Sequence, residues 1–152
     1  MYQPGAIFYF TPFYFKDGKS ASKNKYFICL CKDSENMIVA SLPSSQDYVP
    51  AFVQKQHGCI DVPEGNFNCY HFSPDKQVTL DGWAFPKPTY MYANWIDTFS
   101  LNIFKEVYVV EGVDYDIIGR LTQAEFEAVV KCFLSASSIK MKYKRILQGA
   151  TY

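Results

Sequence analysis

Three β-prone apolar runs separated by polar connections constrain this chain more than any other feature. They are Ile7-Phe8-Tyr9-Phe10, Tyr26-Phe27-Ile28-Cys29-Leu30-Cys31 and Met37-Ile38-Val39-Ala40. Aromatic and β-branched side chains fit a pleated, half-buried surface, so strands are expected over residues 6–15 and 26–42. A polar loop, Lys16 to Lys25, feeds the second run, and Asp33-Ser34-Glu35-Asn36 turns the chain back into the third. The third run closes on Pro43-Ser44-Ser45-Gln46. A basic loop leading into a buried strand, whose hairpin partner ends in paired hydroxyls, is an arrangement able to hold a phosphodiester.

The length of 152 residues suits one domain over 1–152 with a sizeable core. Aromatic residues make up 18% of the chain, which favours a β-rich fold over a helical bundle. Fifteen basic and 15 acidic residues cancel, so a nucleic-acid contact would need a local basic patch. No apolar run approaches the length of a membrane span, and no membrane partner is expected. Cys29 and Cys31 alternate with apolar neighbours, as small buried thiols do. With five cysteines in all, an odd number, the pattern suggests a reducing, cytoplasmic compartment.

Further along, Cys59-Ile60-Asp61-Val62 and Cys69-Tyr70-His71-Phe72 suggest a hairpin through Pro63-Glu64-Gly65-Asn66. Gln77–Leu80, Thr89–Trp95 and Val107–Val110 are strand candidates, the last being the final clear one. Thr122-Gln123-Ala124-Glu125 has capping-box spacing, in which the Thr hydroxyl and the Glu carboxylate each satisfy a backbone amide. Phe126, Val129, Val130, Phe133 and Leu134 then recur on one helical face that must pack on the sheet. Ile139 to Lys144 alternates like a strand, yet a second helix after Ser138 is equally open. Many short strands with a C-terminal helix imply a mainly β, α+β fold built as a small SH3-like barrel.

Several residues invite a chemical reading. His57, Cys59, Cys69 and His71 form mirrored pairs on the proposed hairpin, with Cys59 and Cys69 read as cross-strand core neighbours and the histidines as half-exposed. A zinc site is the weaker alternative there, because the spacing matches none of the usual ligand patterns, and neither metal nor cofactor is expected. His71 is also a candidate general acid or base. Trp83, Phe85, Tyr90, Tyr92 and Trp95 are expected mostly in the core, with one or two exposed near Pro86 and Pro88 to stack on bases. Lys140, Lys142, Lys144 and Arg145 read as a solvated basic face.

Three stretches resemble the PemK/MazF-like toxins, mostly sequence-selective endoribonucleases of toxin–antitoxin modules. Pro4-Gly5-Ala6-Ile7-Phe8-Tyr9-Phe10 is similar to that family's opening glycine and strand. Lys25-Tyr26-Phe27-Ile28-Cys29-Leu30 stands where the family has a basic residue, a proline and an apolar strand. Ala40-Ser41-Leu42-Pro43-Ser44-Ser45-Gln46 resembles its strand end, where a proline precedes Thr or Ser. Gly119-Arg120-Leu121-Thr122 leads into a helix as the family's C-terminal segment does. The likeness covers about a third of the chain. Lys25-Tyr26 replaces the family's Arg-Pro, and Ser44 its Thr; lysine lacks the planar fork that arginine brings to a phosphate.

The resemblance implies metal-independent cleavage of single-stranded RNA. Lys25 would stabilise charge and donate a proton, and Ser44 would orient the phosphate. Lys19, Lys23, Ser45 and Gln46 would hold the flanking substrate. A protein antitoxin and a homodimer are the further partners implied. The alternative is a non-catalytic β-barrel binding module for a protein or nucleic acid.

Overall fold

The computed structural model describes residues 1–152. In chain order it contains β1 (Ala6–Phe13), β2 (Lys23–Ser34), β3 (Met37–Ser41), β4 (Gly58–Val62) and β5 (Phe67–Phe72). β6 (Thr89–Tyr92), β7 (Asp97–Ser100), α1 (Leu101–Val107), β8 (Tyr115–Arg120), α2 (Gln123–Leu134) and α3 (Met141–Gln148) follow. The fold is mixed α+β, mostly strands. They form two antiparallel sheets, one of five strands in the order β7-β3-β2-β1-β8 and one of three in the order β4-β5-β6. No single closed barrel forms; a two-residue bridge, Ser44 with Tyr90, links the end of β3 to β6.

The five-stranded sheet is buried on both faces, which explains the near-continuous apolar runs of β1 to β3. One face carries Phe8, Phe10, Phe13, Phe27 and Phe99, covered by Phe104 of α1 and by Tyr108. The other carries Ile7, Ile28, Leu30 and Val39, covered by the second sheet, α2 and α3. A bulge between Cys29 and Cys31 shifts the register of β2 against β3. Residues two apart on a regular strand share a face, but here Cys29 joins the aromatic core and Cys31 the opposite one.

The α2 helix forms where its pattern predicts and packs on β4 and β5. Phe126, Val129 and Phe133 are buried on that face, each contributing roughly 2 kcal/mol by removal from water. Only half of the capping box forms. Thr122 Oγ1 accepts the Glu125 amide at 3.2 Å, but the Thr122 amide donates to the Val78 carbonyl at 3.0 Å instead of to Glu125. The open segment after Ser138 is the helix α3, with Tyr143 and Leu147 on its buried side. Lys140 and Lys142 point to solvent beside it.

Other expectations need correction. Gln77–Leu80 makes only an isolated bridge, Thr79 with Leu121. The Thr89–Trp95 strand stops at Tyr92 and continues as a 3-10 turn, Ala93–Trp95. Val107–Val110 is not a strand: it is the end of α1 and a loop in which the Asp114 carboxylate accepts the amides of Val109 and Val110 at 3.0 and 2.8 Å. The β4–β5 hairpin is present, but Cys59 and Cys69 are not neighbours across it. Cys59 stands opposite Tyr70 and Cys69 opposite Ile60, on the other side of the sheet. Cys59 is instead joined to Cys132 of α2 by a disulfide, leaving Cys29, Cys31 and Cys69 as buried free thiols. No helix is long and apolar enough to cross a membrane.

Candidate functional site

An open cleft of about 570 Å³ lies where β2 begins. Its floor comes from Lys23 and Lys25, two residues apart on one face of β2. Ser20 and Ser22 line one side from the preceding loop. That loop is shaped by Asp17, whose carboxylate accepts the Lys19 and Ser20 amides at 2.9 Å and the Ser20 hydroxyl at 2.5 Å. Leu42, Ser44, Gln46 and Tyr48 form the opposite wall, and Trp95 closes it from the turn after β6.

Ser44 is placed by backbone. Its amide donates to the Tyr90 carbonyl at 2.9 Å, and its carbonyl accepts the Tyr90 amide at 2.8 Å. Its hydroxyl oxygen accepts the Gln46 amide at 3.0 Å, which leaves the O–H proton available to a ligand. Beyond it the chain forms a strap over the outer face of the second sheet. Tyr92 holds the start of this strap, donating to the Gln46 carbonyl and accepting the Tyr48 amide. Asp47 and Lys55 form an ion pair along it, and Val49 and Val53 pack beneath.

Lys25 is half-buried. Burial, followed by repulsion from Lys23, lowers its pKa from the ordinary lysine value. No carboxylate and no imidazole line the cleft. Two cations, three serine hydroxyls and a pair of exposed rings can hold a phosphate and stack an unpaired base.

The structure thus brings together Lys23, Lys25, Ser44 and Gln46. Lys19 and Ser45 are exposed but do not line the cleft. Phe15, Ser20, Ser22, Leu42 and Tyr48 belong to it without having been singled out by sequence. No protein-family model, no curated protein and no solved structure matches the chain.

The proposed zinc quartet does not assemble. Cys59 is in the disulfide, and no group of three or more His, Cys, Asp or Glu residues is arranged to hold a metal ion. His57 lies between the Ser73 amide, which donates to its Nδ1 at 3.0 Å, and Glu125, which accepts from Nε2 at 3.0 Å. Both ring nitrogens are therefore engaged. Tyr70 donates to the same carboxylate at 2.6 Å, and Lys76 stands 3.7 Å away. Burial opposes ionisation of Glu125, but the bonds from His57 and Tyr70 outweigh it and the pKa is lowered. This cluster ties α2 to the second sheet.

His71 is buried rather than half-exposed. It stacks on Tyr90 with ring centroids 4.8 Å apart, and its Nδ1 donates to the Gln56 carbonyl at 2.9 Å. It does not line the Lys25 cleft, so a general acid–base role there is not supported. Among the aromatic candidates Phe85, Tyr90 and Tyr92 are core, Trp83 is half-buried, and Trp95, in the turn after β6 and not on the loop of Pro86 and Pro88, is exposed at the cleft.

Proposed function

We propose that the cleft binds single-stranded RNA and that the chain is a metal-independent endoribonuclease, as its resemblance to PemK/MazF-like toxins implies. The observation that carries this reading is the convergence of Lys23, Lys25, Ser44 and Gln46, with Trp95, in one cleft. The resemblance also carries the finer description: an SH3-like toxin domain, inhibited by a protein antitoxin, dimeric and acting in the cytoplasm. The Cys59–Cys132 bridge bears against the cytoplasmic assignment, because disulfides persist chiefly in oxidising compartments.

In the proposed reaction the ribose 2′-oxygen attacks phosphorus as the bond to O5′ breaks, leaving a 2′,3′-cyclic phosphate and a 5′-hydroxyl. The 2′-hydroxyl proton passes to a solvent water. The Lys25 ammonium donates a proton to the departing O5′ and recovers one from water. Lys23 and the Ser44 hydroxyl face the charge that builds on the non-bridging oxygens. The downward shift of Lys25 makes it a stronger acid than a free lysine.

The test is incubation of the purified protein with an unstructured RNA in EDTA. Cyclic-phosphate fragments are expected, with the rate falling about 100-fold or more in Lys25→Ala and in Ser44→Ala. Full activity in either variant removes that residue from the mechanism. The second reading, a binding module without cleavage, is favoured by the absence of any imidazole or carboxylate from the cleft lining. RNA bound but uncut by folded wild-type protein would establish it.

A further inference from the structure

Tyr48 and Trp95 do more than close the cleft. Their rings stand 5.7 Å apart, nearly perpendicular at 80°, and both also line a second hollow of about 240 Å³. The pair is a ridge with the lysine cleft on one side and this hollow on the other. Tyr48 is 55% exposed and Trp95 47% exposed, so neither ring is spent on the core.

The hollow differs chemically from the cleft. It holds no lysine or arginine, and Phe67 and Tyr92 add aromatic surface. Its polar groups are neutral. Asn66 sits in the left-handed region at φ 51°, where Asn is among the tolerated residues. The Ser137 hydroxyl donates to Asn66 Oδ1 at 2.7 Å, which orients the amide and leaves its NH₂ free. Asn94 lies exposed in the 3-10 turn beside Trp95. Asn68, whose NH₂ is already held by Asp61 and the Cys132 carbonyl, and Ser138 complete the lining, and Ser138 Oγ is buried without any hydrogen-bond partner. A buried polar atom left unsatisfied is costly, so this hydroxyl gains from any partner that the hollow brings within its reach.

We propose that this hollow is a nucleobase pocket that reads one unpaired base of the strand whose phosphates lie in the lysine cleft. The proposal rests on the RNA-binding reading of that cleft. Its volume is below the roughly 300–1,000 Å³ of drug-sized sites, in keeping with a single ring system. Aromatic faces stack on any base, while amide and hydroxyl groups discriminate the hydrogen-bonding edges of unpaired ones. The cleft thus fixes the backbone and the hollow supplies selectivity.

The experiment uses four 2′-deoxy pentanucleotides that are identical except at the central base, so that no strand can be cleaved. Binding is followed by quenching of tryptophan fluorescence, with Trp95→Phe identifying the contribution of that ring. One central base is expected to bind at least about tenfold more tightly than the worst, a difference in the range one polar base contact supplies. That preference should flatten in Asn94→Ala and in Asn66→Ala, with Trp95 quenching retained. Equal affinity for all four strands, or a preference that survives both Asn variants, overturns the base pocket and leaves the cleft reading standing. Failure of every strand to bind folded protein removes both. Loss of affinity and of its salt dependence in a Lys23→Ala, Lys25→Ala double variant tests the cleft separately.

Discussion

Lys23 and Lys25 share a face of β2, and at that separation each modifies the other's charge. Repulsion from Lys23 is the second cause, after burial, of the lowered pKa of Lys25. If Lys25 is the proton donor, the rate must fall on the alkaline side as its ammonium is lost, at a pH below the ordinary lysine value. Removing Lys23 relieves the repulsion and favours the charged form of Lys25. Lys23→Ala should therefore move the alkaline limb of the pH–rate profile to higher pH, even as it weakens substrate binding. A limb that does not move would assign it to another group. Glu125 presents the opposite case. Its pKa is lowered in the folded chain, so its contribution to stability is present above the ordinary carboxylate range and is lost as acid protonates it. Glu125→Ala strands the Tyr70 hydroxyl and the His57 Nε2–H, and should cost about 2–3 kcal/mol in urea unfolding at neutral pH. A change within about 0.5 kcal/mol, as at an ordinary surface site, would show that the cluster does not tie α2 down.

At the scale of elements, legibility followed burial. β1, β2 and β3 lie in a sheet covered on both faces, so their apolar runs were plain in the sequence, and α2 was plain because it keeps one apolar stripe. β7 has only four residues, and β8 is an edge strand carrying Asp116 and an exposed Ile117, so neither shows a clear alternation. Val109 and Val110 misled in the other direction. They are β-branched but 65% and 49% exposed, and a carboxylate rather than a neighbouring strand takes their amides. The candidate site was half legible. Lys23, Lys25, Ser44 and Gln46 could be found because they flank recognisable strands, whereas Tyr48 and Trp95 meet only through the strap and the turn after β6. The disulfide was invisible for a similar reason, since its cysteines are 73 positions apart and only the packing of α2 on β4 brings them together. Reducing that bridge, or replacing both cysteines by serine, should lower stability by about 2–4 kcal/mol. Urea midpoints with and without reductant check this, and identical midpoints would refute it.

For the whole molecule, the division of labour is between a central sheet covered on both faces and a periphery that presents chemistry. The cleft sits where the two sheets meet, with Ser44 bridging to Tyr90 at the join, and the ridge separates it from the amide-lined hollow on the second sheet. Binding sites commonly form where packed units adjoin, because polar backbone can be supported there without being sealed in. The cations stand at the exposed start of β2, and the same strand then runs into the region covered from both sides. A ligand held at Lys23 and Lys25 therefore rests on the least yielding part of the fold, and the strap and the loop before β2 are the parts able to adapt around it.

The bulge in β2 has a consequence for how the protein withstands air. By turning Cys31 to the face opposite Cys29, it puts the two in different interiors, while Cys69 lies in a third, beneath the strap. Burial pushes the Cys29 and Cys69 thiols up to about 12 and the Cys31 thiol to about 11, so almost none is present as the reactive thiolate near neutrality. No two of these sulfurs can meet while the fold is intact. A chain with three unpaired cysteines should thus neither scramble its bridge nor cross-link to its neighbours on storage, and a protein that does either has already begun to come apart.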